Sequence, residues 1–155
     1  MFAKFWSWFQ SNRPPESLAL DRQGRPVSAE VMEAVVRVLI EIIRSDSEIA
    51  AAEARSVTDI VRTHFSATED LITSLVKQAA EKAQRNESLD GVFSLLNGAY
   101  TVEQKVLLLA ACWRIVLADG QVERAERRFA VQLRYRFQLT EQQEARAKGL
   151  AEVTS

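Results

Sequence analysis

Two aspartate–glutamate pairs are the residues in this chain whose type and spacing could do chemistry. Asp46 and Glu53 lie in I-E-I-I-R-S-D-S-E-I-A-A-A-E, and Asp119 and Glu126 lie in W-R-I-V-L-A-D-G-Q-V-E-R-A-E. In each stretch an apolar helical run ends at the aspartate. An aliphatic residue (Ile49, Val122) follows three positions on and the glutamate seven positions on, all at one constant offset of 73 residues. Carboxylates are hard oxygen donors, and a set of four suits a divalent cation such as Ca2+ or Mg2+.

The second turn carries the later half of a calcium loop. With Asp119 as the fifth residue of such a loop, Gly120, Val122, Glu123 and Glu126 fall where the loop needs its glycine, its aliphatic residue and its last two oxygen donors. The earlier half is missing, because Ile115 and Leu117 stand where the first ligands belong. In the first repeat those places fall to Ile42 and Arg44, and Ser47 replaces the glycine. Calcium takes about 6–8 oxygens, so neither turn alone makes a tight EF-hand. A site shared by Asp46, Glu53, Asp119 and Glu126 has enough charge. The same acids also suit a purely structural role, since Asp before Gly forms turns and Glu in a first helical turn is favoured by the helix dipole.

Little else in the chain looks chemical. The single cysteine, Cys112, sits inside L-L-L-A-A-C-W, so an intramolecular disulfide is impossible. It reads as a small core residue, suited to a reducing, cytoplasmic compartment. His64, the only histidine, stands near the end of a predicted helix, where positive charge is favoured. No local pattern supports a dyad of His64 with Cys112. With no glycine-rich phosphate loop, nucleophile elbow or histidine cluster, the expectation is a non-enzyme without catalytic residues. The 20 Lys and Arg balance 21 Asp and Glu to a net charge of −1, against a broad nucleic-acid face. Arg124, Arg127, Arg128, Arg134 and Arg136 are close in sequence but spread over several faces of a helix, so they read as a solvated surface.

The elements that must position the acids are helical. Apolar residues make up 47% of the 155, enough for one domain with a proper core. Glycine and proline are scarce, and apolar spacing follows the helical period. Ser28 caps a helix with Val31, Val35, Val38, Leu39 and Ile42 on one face, ending near Arg44. A second helix runs from about 50 to 65. Ser66 with Glu69 forms a capping-box pattern opening a third, which fades near Asn86. A short helix, S-L-D-G-V-F-S-L-L, follows. Thr101 with Gln104 opens the most apolar helix, 102–118, which belongs at the centre. A helix from about 123 to 137 and a last one opened by Thr140 with Gln143 complete the chain. The expected fold is all-α, a single domain of about seven helices over 28–152, built from two similar helix-turn-helix units packed about a pseudo-twofold.

The paired D-x-x-[IV]-x-x-x-E turns, the run L-L-L-A-A-C-W-R-I-V-L-A-D-G-Q-V-E-R-A-E and the helix ending F-Q-L-T-E resemble the tellurite-resistance TerB-like family over about residues 28–150. The resemblance implies an all-helical domain in which Asp46, Glu53, Asp119 and Glu126 carry a proposed metal-ligand role. It also implies a link to tellurite and other chemical stress, and to domains attached to co-chaperones at the inner membrane. Ser47 departs from the pattern of the second turn.

The N-terminus lies outside that resemblance. Five of the twelve aromatic residues fall in the first nine positions, and Phe2, Phe5, Trp6 and Phe9 share one face of a helix expected over 1–12. Residues 13–27, with Pro14, Pro15, Gly24 and Pro26, read as a linker. An aromatic amphipathic helix can dock on its own domain, pair two copies into a homodimer, enter a groove of a protein partner, or lie on a membrane surface. The last reading would make the protein peripheral at the inner membrane. The first residues lack the continuous apolar stretch of a signal peptide. The longest apolar run, Val106 to Ala118, is short of a bilayer span and contains Arg114.

Overall fold

The computed structural model describes residues 17–44, 51–118 and 124–153, with the side chains of 51–54, 118, 124–127 and 153 left outside the description. The expected N-terminal helix, residues 1–12, lies outside the described residues. Seven helices follow: α1 (Ala29–Arg44), α2 (Ala51–His64), α3 (Glu69–Gln84), α4 (Asp90–Ala99), α5 (Val102–Ala118), α6 (Arg124–Arg136) and α7 (Glu141–Val153). Among the described residues there is no strand, only an isolated bridge between Leu20 and Pro26.

Four of the helices, α1, α3, α5 and α7, start where a side chain satisfies a free N–H group. Ser28 Oγ accepts from Val31 N at 3.2 Å. Thr101 and Gln104 form the expected box, with Thr101 N donating to Gln104 Oε1 at 2.9 Å and Gln104 N to Thr101 Oγ1 at 3.2 Å. Thr140 and Gln143 do the same at 2.8 and 3.1 Å. The Ser66–Glu69 box is not formed. The N-cap of α3 is Thr68, whose side chain accepts from Leu71 N, and Glu69 instead meets Arg62 Nε at 2.8 Å. Phe65 explains the shift: it is buried after the last residue of α2, so 66 and 67 serve to turn the chain. Phe137 is buried in the same way before Thr140.

Two helices, not one, lie at the centre. α5 is buried around most of its circumference, as its composition requires. α1 is as well, because Val36, Ile40 and Ile43 are buried beside the expected stripe. Burying each such side chain is worth about 1.5–3 kcal/mol. α1 packs most extensively on α3, and α5 on α7. α1 also meets α6, as α5 meets α2, and α1 and α5 touch each other. The principal pairings of 29–84 thus correspond to those of 102–153, with α4 inserted against α1.

Residues 17–27 are helix-free, as their proline and glycine demand, but they are tied to the domain. Leu18 is fully buried. Tyr100 Oη donates to Leu18 O at 2.7 Å. Gln104 Nε2 donates to Ser17 O at 2.9 Å and to Leu20 O at 2.6 Å. The Arg22 guanidinium donates to Tyr100 O at 2.7 Å and Asn97 O at 3.1 Å. Gly24 takes φ +79° inside the turn that Asp21 closes, a conformation that suits a residue without Cβ.

Candidate functional site

Glu53 and Glu126, the glutamates of the repeat, stand at equivalent places in the helical frame. α2 begins at Ala51 and α6 at Arg124, the same offset of 73 residues that relates the acids. Glu53 and Glu126 are therefore each the third residue of a helix, where the exposed N–H groups and the dipole favour a carboxylate. Asp46 and Asp119 lie outside the described residues, as do the side chains of Glu53 and Glu126. The residues that would have to supply the first ligands of an EF-hand, Ile42 with Arg44 and Ile115 with Leu117, belong to α1 and α5. A full calcium loop is thereby excluded in either repeat. Among the described residues no group of three or more His, Cys, Asp and Glu could hold a metal ion. What the four acids offer is a hard, all-oxygen donor set, which fits Ca2+ or Mg2+ and not a soft metal.

A cavity of about 210 Å³ opens where α2 crosses α5, lined by Ser56, Asp59, Ile60, Thr63, Arg114 and Ile115. His64 lies close to this crossing, and its environment reverses the sequence expectation. Burial, and then the positive charge of Arg114, hold the imidazole below its ordinary pKa, so the neutral form is favoured in spite of the helix C-terminus. Cys112 is fully buried and burial pushes its thiol well up, which removes the thiolate that nucleophilic chemistry needs. Neither residue is arranged for catalysis.

Two arginines of α6, Arg134 and Arg136, are paired within the fold. Arg134 meets Glu144 at 3.2 Å and stacks over Tyr135, 4.1 Å from the ring centroid. Arg136 meets Asp90 at 2.8 Å and lies 4.5 Å from the centroid of Phe93. Arg128 is exposed, and the side chains of Arg124 and Arg127 are among those not described. These pairs do not make a continuous basic face.

Two deeply placed charged residues went unnoticed in the sequence. Arg37, 3% exposed within α1, donates from Nε to Glu41 at 2.9 Å and from Nη2 to Glu87 O. Lys105, 5% exposed, donates to Asn97 Oδ1 at 3.0 Å, and burial followed by the charge of Arg22 lowers its pKa. A charged residue in an otherwise apolar helical stripe was the available signal, although one partner of Arg37, the Glu87 carbonyl, lies 50 residues away. Both residues hold elements together.

The helical frame of the described residues defines a small all-α module. The model of one family, described as tellurite resistance protein TerB, matches residues 32–149. The chain belongs to the TerB family. No curated protein and no solved structure matches it significantly. The match covers α2 to α6 completely and most of α1 and α7, and leaves out the aromatic N-terminus.

Proposed function

We propose that this TerB domain is a non-catalytic module that takes up a divalent cation, Ca2+ or Mg2+, through Asp46, Glu53, Asp119 and Glu126. The cation-loaded domain acts in a chemical-stress response of the tellurite type, as an interaction domain rather than an enzyme. The observation that carries the reading is the common register of α2 and α6, which places Glu53 and Glu126 alike in the first turns of two corresponding helices. Helix N-termini disfavour a metal ion near their own N–H groups, so a cation there requires several carboxylates acting together. One turn supplies too few oxygens, and two turns sharing one ion supply a plausible number once waters complete the shell.

Isothermal titration calorimetry with Ca2+ and Mg2+ tests this. The shared site predicts one ion per chain, with the heat abolished equally by Asp46→Ala/Glu53→Ala and by Asp119→Ala/Glu126→Ala. Circular dichroism verifies that both variants remain helical. Two ions lost separately would contradict sharing, and no saturable heat with either ion would refute binding.

A further inference from the structure

One face of α1 carries groups of opposite charge. Glu30, Glu33, Ala34 and Arg37 recur at helical spacing and line a cavity of about 450 Å³ between α1, α3 and α4. Small-ligand sites start at about 300 Å³. The apolar lining is Ala34, Val92 and Leu95, and Leu95 is 37% exposed. Lys82 Nζ lies 2.8 Å from Glu33, so these two charges offset each other. An unmet group of each kind remains at either end. At the deep end Arg37 is 3% exposed. Its Nε is spent on Glu41 and its Nη2 on Glu87 O, and Nη1 has no acceptor among the described residues. α4 starts beside it without a side-chain cap, and the N–H groups of Gly91 and Val92 have no acceptor among the described residues either. A Cβ built on Gly91 meets nothing within 4 Å, so the approach to these N–H groups is open. At the other end Glu30 is exposed and makes no hydrogen bond or ion pair among the described residues.

We infer that this cavity binds a short peptide with free ends, of about three residues, with an apolar side chain in the middle. Its carboxylate accepts from Arg37 Nη1 and from the N–H groups of Gly91 and Val92, at a helix start whose dipole favours an anion. Its ammonium meets Glu30, and its side chain lies on Leu95, Val92 and Ala34. The spacing agrees. Glu30 and Arg37 are seven residues apart on α1, about 10 Å along the axis, and three extended residues also span about 10 Å. The deep end offers unmet donors rather than net charge, because Arg37 is already paired with Glu41. A simple anion would face Glu30 and Glu33, and a simple cation would face Lys82 and the start of α4. A ligand that carries both charges at this distance satisfies both ends. No residue of the repeated turns lines the cavity, so this binding stands or falls apart from the proposed cation.

Amide NMR of the full chain titrated with the tripeptide Ala-Leu-Ala tests the proposal. The probes are the free peptide, its N-acetylated form, its C-amidated form, and acetate alone. Arg37 holds the Glu87 carbonyl, so the deep end is tested by changing the peptide and not the protein. Glu30 is exposed, so Glu30→Gln leaves the fold intact, as an unchanged thermal melt verifies. The expected result is a saturable shift of the Gly91 and Val92 amides with the free peptide. Amidation of its carboxylate weakens binding at least tenfold. Glu30→Gln weakens the free peptide about threefold and leaves the N-acetylated one unchanged. No saturable shift at millimolar peptide overturns the proposal. So does equal binding of the free and amidated peptides, or an equal effect of Glu30→Gln on the free and acetylated ones. Acetate that moves the same amides as tightly as the peptide reduces the site to an anion contact, which also overturns it.

Discussion

Removing one oxygen from Tyr100 tests whether residues 17–27 belong to the domain. Tyr100 is fully buried, and its hydroxyl donates to Leu18 O at 2.7 Å. Tyr100→Phe keeps the ring and its packing but leaves the Leu18 carbonyl without that donor, beside a Leu18 side chain that is itself fully buried. A buried group left unsatisfied costs about 1–3 kcal/mol. For a chain of this size each kcal/mol moves Tm by about 2–4 °C, so the variant melts about 2–12 °C lower. pH gives a second, independent reading. Burial pushes the Tyr100 phenol well above its ordinary range, so the folded state keeps a proton that the unfolded state releases above about pH 10. Stability from this group is therefore present below pH 10 and declines as pH rises from there toward the folded-state pKa. Urea midpoints from pH 8 to 11 should fall less steeply in Tyr100→Phe than in the parent. A variant within about 0.5 kcal/mol of the parent with the same alkaline slope would show that Leu18 and the segment around it are not held by this bond.

The N-cap assignment predicts that Thr68→Ala lowers stability by about 1 kcal/mol while Ser66→Ala changes it by less than about 0.5 kcal/mol, read from denaturant midpoints; the reverse order would restore the Ser66–Glu69 box. His64 is depressed in the fold, so the unfolded chain binds its proton first on acidification. Stability from neutral His64 is complete above about pH 6.5 and is lost as pH falls through that value toward the folded-state pKa, and His64→Gln should flatten this part of the stability profile. A parent profile that rises on acidification between pH 7 and 5.5, and does so only with His64 present, would contradict the buried environment.

Local patterns carried most of the fold. Helical periodicity gave each helix to within a few residues, and the boxes at Thr101 and Thr140 formed as their spacing requires. The same pattern failed at Ser66, because a motif match ignores that Phe65 must first enter the core. The repeat held the correction: Thr140, less 72 residues, is Thr68. Distance along the chain hid the rest. Residues 13–27 read as a linker because the partners of 17–22 are Ala99, Tyr100 and Gln104, more than 75 residues away. His64 was assigned by its own helix terminus, whereas its proton affinity is set by burial and by Arg114 on a different helix. α1 showed an apolar stripe, and only its position between α3, α4 and α5 explains why its other faces are aliphatic as well. For the acids, the offset of 73 foretold the matching starts of α2 and α6. Ligand geometry is a matter of how two turns approach each other, and spacing within each turn does not encode that.

The most direct measurement is the thermal melt after EDTA treatment, with Ca2+ or Mg2+ added back, beside Asp119→Ala/Glu126→Ala. An ion at about 100 times its dissociation constant adds about 2.7 kcal/mol to the folded state, a rise in Tm of roughly 5–11 °C. A rise of that size in the parent, absent from the variant, is the result expected of a cation held at the repeated turns. An unchanged melt with either ion, or an equal rise in parent and variant, would contradict it and leave Asp119 and Glu126 as the turn former and helix-start acid that their positions already allow.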